Sequence, residues 1–220
     1  MSHAIHTSAS PLAEQFDELP QQHAAGELGM WVFLGTEVMF FGGLFLAYTV
    51  YRIQNEAAFA AASRQLDLAW GTINTAVLLG SSLTMALAVH AAESRNRRWL
   101  SILLLATMGL GTAFIAIKGL EYRHKYEHGL MPLAALPFKW SDPFPGPAKL
   151  FFQLYFLMTG VHALHMLIGI AVLLWLLLKA RRGRLVGEFS APVRMTGLYW
   201  HFVDIVWVWL FPLLYLIGAR

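Results

Sequence analysis

The chain has 220 residues, of which 57% are hydrophobic and 13% are charged, whereas soluble domains carry about 25% charged residues. This composition excludes an ordinary soluble domain and indicates an integral membrane protein. The absence of cysteine excludes disulfide bonds, thiolate metal ligands and a cysteine nucleophile. The formal charge of +3 fits basic loops beside a membrane better than a nucleic-acid-binding surface.

The N-terminal residues 1–27 are predicted to form a polar, solvated tail. They lack a basic segment followed by an apolar one, so we expect no cleaved signal peptide. The histidines scattered in this tail have no spacing that would imply a metal site.

Five apolar stretches predict an all-α fold, a polytopic bundle of five transmembrane helices. Each stretch is long enough to cross a hydrocarbon core of about 30 Å at about 1.5 Å of rise per residue. The predicted helices cover residues 28–51, 69–92, 99–122, 148–178 and 198–218. Together they are expected to form one membrane domain over residues 28–218.

The first predicted helix carries Glu37 near the middle of the membrane. A carboxylate at that depth is by default a candidate functional group, because charge in lipid is costly. It could relay protons, bind a lipid head group or a cation, or sit protonated in a polar cluster. The second helix is rich in small residues, which favours tight packing against other helices.

The third predicted helix ends in the sequence KGLEYRHKYEHG, which places Lys118, Glu121 and Arg123 at one membrane boundary. These charges fit either a solvated interfacial group or a packed salt-bridge network, and the sequence leaves both open. The proline-rich loop that follows cannot form a regular helix.

The last two helices carry His162, His165, His201 and Asp204. His201 and Asp204 are three residues apart and share a helix face, so this face should dock inward. His162 and His165 also share a face and cannot bracket a haem, although with His201 they could form a three-histidine metal site. Hydrogen bonds across helices are the favoured alternative, with His201 pairing to Asp204 or Glu37.

The short, basic connections on the N-terminal side of the bundle predict the orientation in the membrane. By the positive-inside rule, the N-terminus lies in the cytoplasm and the C-terminus outside.

Four sequence blocks together resemble subunit III of the haem–copper terminal oxidases, the cytochrome c oxidase and quinol oxidase family. The blocks are GELGMWVFLGTEVMFFGGLFLAYTVYR, KGLEYRHKYEHG, LYFLMTGVHALHMLIGI and YWHFVDIVWVWLFPLLYLIG. The resemblance covers about residues 26–218 and implies the five-helix bacterial form of the subunit.

The resemblance further implies a non-catalytic subunit of a proton-pumping oxidase in a bacterial cytoplasmic membrane, active in aerobic electron transport. Such a subunit packs directly on subunit I, with subunit II in the same complex, and typically binds phospholipid. It binds no haem, copper or other metal, since these belong to the partner subunits. Glu37 matches the family's buried carboxylate, which is linked to support of proton uptake and sustained turnover.

Two alternatives remain open from the sequence. The chain could be an accessory subunit of a quinol oxidase or nitric oxide reductase branch, because other subunits select the electron donor. A stand-alone transporter or haem-binding enzyme belongs to a different class, and a transporter would typically show paired repeats and helices broken at mid-membrane. Five spans without an internal repeat fit a transporter poorly.

Overall fold

A computed structural model of the chain describes residues 15–132, 138–141, 143–181, 185–216 and 218. These residues form helices, turns and loops, which confirms the predicted all-α class. Their six α-helices are α1 (Leu19–Gln54), α2 (Glu56–Ser63), α3 (Leu68–Glu93), α4 (Arg97–Glu127), α5 (Pro145–Arg181) and α6 (Ala191–Tyr215). All but α2 are long and apolar enough to cross a membrane, so the chain is a multi-pass membrane protein.

Helices α1, α3, α4 and α5 extend beyond both ends of the apolar stretches that predicted them, and α6 extends beyond the start of its stretch. Helix α1 begins at Leu19, inside the stretch expected to be a polar tail, of which residues 1–14 lie outside the described part of the chain. Helix α6 begins at Ala191 rather than at residue 198, and it ends at Tyr215. Both helices carry a proline in their first turn, where the missing N–H has no helical partner to lose. An apolar stretch therefore marks the part of a helix inside lipid and not the end of the helix.

Helix α2 lies in the segment between the first two spans, where the sequence indicated only a loop. It packs against α5 and buries Phe59 completely. Its Ser63 hydroxyl donates to the carbonyl oxygen of Leu214 at 2.6 Å, and Tyr48 of α1 donates to that of Leu213 at 2.9 Å. These two side chains satisfy carbonyl groups that the end of α6 leaves unpaired.

Helices α3, α4, α5 and α6 form a closed ring in which each helix packs on two neighbours. Trp200 of α6 lies at its centre, where its Nε1 donates to the Ser81 hydroxyl of α3 at 3.1 Å. Helix α1 lies outside this ring against α5 and α6. Its buried residues Leu34, Phe41 and Tyr48 recur every seven positions, the period of a helix held along one narrow seam.

Candidate functional site

Glu37 of α1 pairs with His165 of α5 inside the membrane-spanning region. The carboxylate Oε2 and His165 Nε2 are 3.1 Å apart, and both side chains are less than one fifth exposed. His165 Nδ1 lies 2.9 Å from the Val161 carbonyl oxygen, so Nδ1 carries a hydrogen and donates it. One further proton therefore lies between Glu37 and Nε2, on either partner. This contact joins α1 to α5 at the outer seam of the bundle.

His201 and Asp204 do not pair with each other. His201 Nδ1 lies 2.7 Å from the Ser82 hydroxyl of α3. Neither carboxylate oxygen of Asp204 accepts a hydrogen bond from the described residues. The predicted pairing of His201 with Asp204 or Glu37 is wrong, because Ser82 faces His201 across the α3–α6 contact and Glu37 pairs with His165 instead.

His162 is fully buried, and neither of its ring nitrogens has a hydrogen-bond partner among the described residues. Its ring packs between Phe114 of α4 and Trp207 of α6, with centroid distances of 5.4 and 5.3 Å. His162, His165 and His201 thus have separate surroundings. No group of three or more His, Cys, Asp or Glu side chains that could hold a metal ion occurs in the part of the chain that the structure describes.

Lys118 and Glu121 of α4 form a closed ionic group with Tyr155 of α5 and Tyr215 of α6, here called the Lys118 cluster. All four side chains are buried. Lys118 Nζ donates to Glu121 Oε2 at 2.9 Å, to Tyr155 Oη at 3.1 Å and to Tyr215 Oη at 2.8 Å. Glu121 Oε1 in turn accepts from Tyr155 at 2.8 Å and from Tyr215 at 2.7 Å. Every hydrogen of the ammonium group is used, so the cluster joins three helices.

Arg123 lies outside the Lys118 cluster, although the sequence grouped it with Lys118 and Glu121. It pairs with Glu127 at 2.8 Å, and its side chain is 76% exposed. Of the two arrangements that the sequence left open, the packed salt-bridge network forms around Lys118. Arg123 instead belongs to the solvated group at the membrane boundary. Tyr155 and Tyr215 were not among the predicted site residues, since they lie 37 and 97 residues from Lys118 in the sequence. Their one signal in the sequence is a phenolic hydroxyl within a membrane-spanning helix.

An apolar cleft of about 480 Å³ separates parts of α1 and α6. Its lining includes Phe41, Gly42 and Phe45 of α1 and Phe202 and Trp209 of α6. Its size and apolar walls suit a hydrocarbon chain. Glu37, one helical turn from Phe41, lies close to this cleft.

These features define a class, a multi-pass membrane protein in which buried polar side chains of different helices pair with one another. The sequence model of the family described as cytochrome c oxidase subunit III matches residues 21–219, and the chain belongs to that family. It is therefore part of a multi-subunit oxidase complex, as the resemblance indicated.

Individual relatives carry two kinds of name. The probable cytochrome c oxidase subunit 3 of Nocardia farcinica is 29% identical over 99% of this chain and 100% of its own length. The quinol oxidase subunit 3 of Bacillus subtilis is 30% identical over 99% of this chain and 98% of its own. The cytochrome c oxidase subunit 3 of Corynebacterium diphtheriae is 30% identical over 86% of this chain and 87% of its own.

Proposed function

We propose that this chain is a non-catalytic subunit III that stabilises subunit I of a proton-pumping haem–copper oxidase and supports its proton uptake. The observation that carries the proposal is the family match over nearly the whole chain. The closed Lys118 cluster supports a structural role, because its charges are used up inside the bundle.

Haem and copper would then be held by the partner subunits and not by this chain. The surroundings of the histidines support this assignment. His165 contacts the Glu37 carboxylate and His201 contacts the Ser82 hydroxyl. His162 packs against aromatic rings, so each of the three histidines has a different set of neighbours.

The direct partner would be subunit I, with subunit II in the same complex, in a bacterial cytoplasmic membrane. The N-terminus would lie in the cytoplasm and the C-terminus on the periplasmic side. Phospholipid would bind at the cleft between α1 and α6, whose apolar walls fit an acyl chain. Helix α1 is held along a single seam, so lipid at this cleft would help to keep it in place.

Glu37 is the residue through which this chain would support proton uptake. A Glu37→Gln variant keeps the size and hydrogen-bonding ability of the side chain but removes its exchangeable carboxyl proton. We expect the purified complex to retain subunit I and its haem spectrum, while activity decays faster during continuous turnover. The measurement is oxygen consumption followed over many turnovers.

Glu93→Gln is the matched control, because Glu93 is an exposed carboxylate at the end of α3. Its turnover should persist as in the unmodified complex. Loss of haem from the Glu37→Gln complex would contradict a supporting role. If activity persisted equally in both variants, Glu37 would have no role in proton uptake.

The second candidate is a subunit of a quinol oxidase, which the names of the Bacillus relatives support. The first candidate is a subunit of an oxidase that uses cytochrome c. The two can be distinguished by the electron donor that the complex purified for the Glu37 experiment accepts. Oxygen uptake with reduced cytochrome c supports the first candidate, and uptake with a reduced quinol alone supports the second.

A further inference from the structure

A second cleft, of about 320 Å³, lies where α1, α3 and α6 meet near the start of α6. An ion pair lies along its wall, with Arg194 Nη2 3.1 Å from Glu27 Oε1 and both side chains partly exposed. His201 also lines the cleft, about two helical turns further into the membrane than Arg194. The cleft therefore runs from a charged membrane boundary towards the half-buried imidazole of His201.

The same face of α6 continues from this cleft to Asp204. Arg194, Gly197, His201 and Asp204 follow one another at spacings of three, four and three residues, which keeps them on one face. Helix α3 runs antiparallel along this face, and its Ser82 bonds to His201. Polar side chains thus recur along the α3–α6 contact, with apolar residues such as Val89 between Arg194 and His201. They reach as far as Asp204, about 20 Å along α6 from Ala191.

Polar atoms along this face lack protein partners. Asp204 is 4% exposed, and both of its carboxylate oxygens are without a hydrogen bond from the described residues. The buried Nε of Arg194 likewise has no hydrogen-bond partner among the described residues. Buried polar groups in folded proteins are almost always bonded, either to protein or to ordered water.

We propose that water molecules fill a narrow path that starts at this cleft, passes His201 and Ser82, and ends at Asp204. Water suits both kinds of unpartnered atom, because it accepts from an N–H and donates to a carboxylate. The path ends at Asp204 because the next residue on this face, Trp207, is fully buried against Phe114. Asp204 thereby exchanges water and protons with one membrane surface only, the one that carries the start of α6.

The competing occupant of the cleft is a lipid acyl chain. A hydrocarbon chain would leave Arg194 Nε and the Asp204 oxygens without partners. It would also keep aqueous ions away from this face of α6, so the two occupants predict opposite chemical accessibility.

The natural absence of cysteine allows a direct test with single thiols. Asp204→Cys and Ser82→Cys place a thiol on the path, and Val208→Cys places one a helical turn beyond Asp204 on an exposed part of α6. The whole oxidase complex is kept in sealed membrane vesicles and exposed to Ag⁺, an ion small enough to travel with water. Unreacted thiols of this chain are then counted with a mass tag after denaturation.

We expect the thiols at positions 204 and 82 to react at least about tenfold faster than the thiol at 208, because a hydrated thiol ionises and a thiol in apolar surroundings does not. The faster reaction should occur from the side that carries the start of α6. Equal rates at the three positions, or faster reaction from the opposite side, would overturn the proposal. If Asp204→Cys does not assemble, the comparison of positions 82 and 208 decides in the same way.

Discussion

At the scale of single residues, the Lys118 cluster shows how a lysine and a glutamate are tolerated inside a membrane protein. The Lys118 ammonium and the Glu121 carboxylate are 2.9 Å apart. The hydroxyls of Tyr155 and Tyr215 make the remaining hydrogen bonds of these two groups. The aromatic rings of Tyr155, Trp207 and Tyr215 also surround the ammonium group, with centroids 4.9 to 5.4 Å from Nζ. Such a group adds little net stability compared with apolar residues, but it is costly to break.

Removal of one member of this cluster should be far more harmful than removal of an exposed charge. Lys118→Met leaves the Glu121 carboxylate without its cation, at an expected cost of about 3–5 kcal/mol. Arg123→Met is the matched control on the same helix and should change stability by about 0.5 kcal/mol or less. The measurement is thermal or denaturant unfolding of the purified complex in mild detergent.

A double variant separates a buried unpaired charge from simple loss of packing. Lys118→Met combined with Glu121→Leu removes both charges and should recover part of the lost stability. A Lys118→Met variant as stable as Arg123→Met would mean that the cluster is not closed in the complex.

The sequence alone identified Glu37, His165, Lys118 and Glu121 as residues of interest, because ionisable groups in apolar helices stand out. It did not identify their partners correctly throughout. Glu37 and His165 are 128 residues apart, and no local pattern records such a contact. His201 was assigned the wrong partner because sequence spacing favoured Asp204 over Ser82, which lies on another helix.

At the scale of the helix, glycines decide how closely α4 and α5 approach the indole ring of Trp200. A Cβ added at Gly111 would lie 2.8 Å from Trp200 Cη2, and one added at Gly169 would lie 2.9 Å from Cζ3. The ring therefore fits between two helix backbones, as small residues at membrane helix contacts allow. The sequence showed the glycines but not which of them face this ring.

Gly111→Ala should destabilise the bundle by about 1–3 kcal/mol, because the added methyl group overlaps a buried ring that cannot move aside. Gly109→Ala, half a turn away on the same helix, meets nothing within 4 Å and should cause no loss of stability. The comparison uses the unfolding midpoint of each variant in detergent. Equal effects at the two positions would contradict this placement of Trp200.

At the scale of the whole molecule, we propose that the two ends of the chain lie on opposite sides of the membrane, because the described residues contain five helices that are long and apolar enough to cross it. A reporter that fluoresces only in the cytoplasm should be bright when fused to the N-terminus and dark at the C-terminus. A reporter enzyme that is active only outside the cytoplasm should give the reverse result. The direction follows from the basic connections on the N-terminal side, and the opposite pattern would refute it.

The sequence by itself determined the class, the number of spans and the family, because lipid requires long apolar helices whose backbone groups bond internally. It also marked the ionisable residues that lipid would not tolerate. Only the tertiary structure decided that α3 to α6 close a ring with α1 outside and that Lys118 is enclosed by two tyrosines. It also decided that Asp204 accepts no hydrogen bond from the residues that the structure describes. Those outcomes depend on which helix faces meet, and a contact between distant helices is fixed by packing of the whole bundle rather than by neighbouring residues.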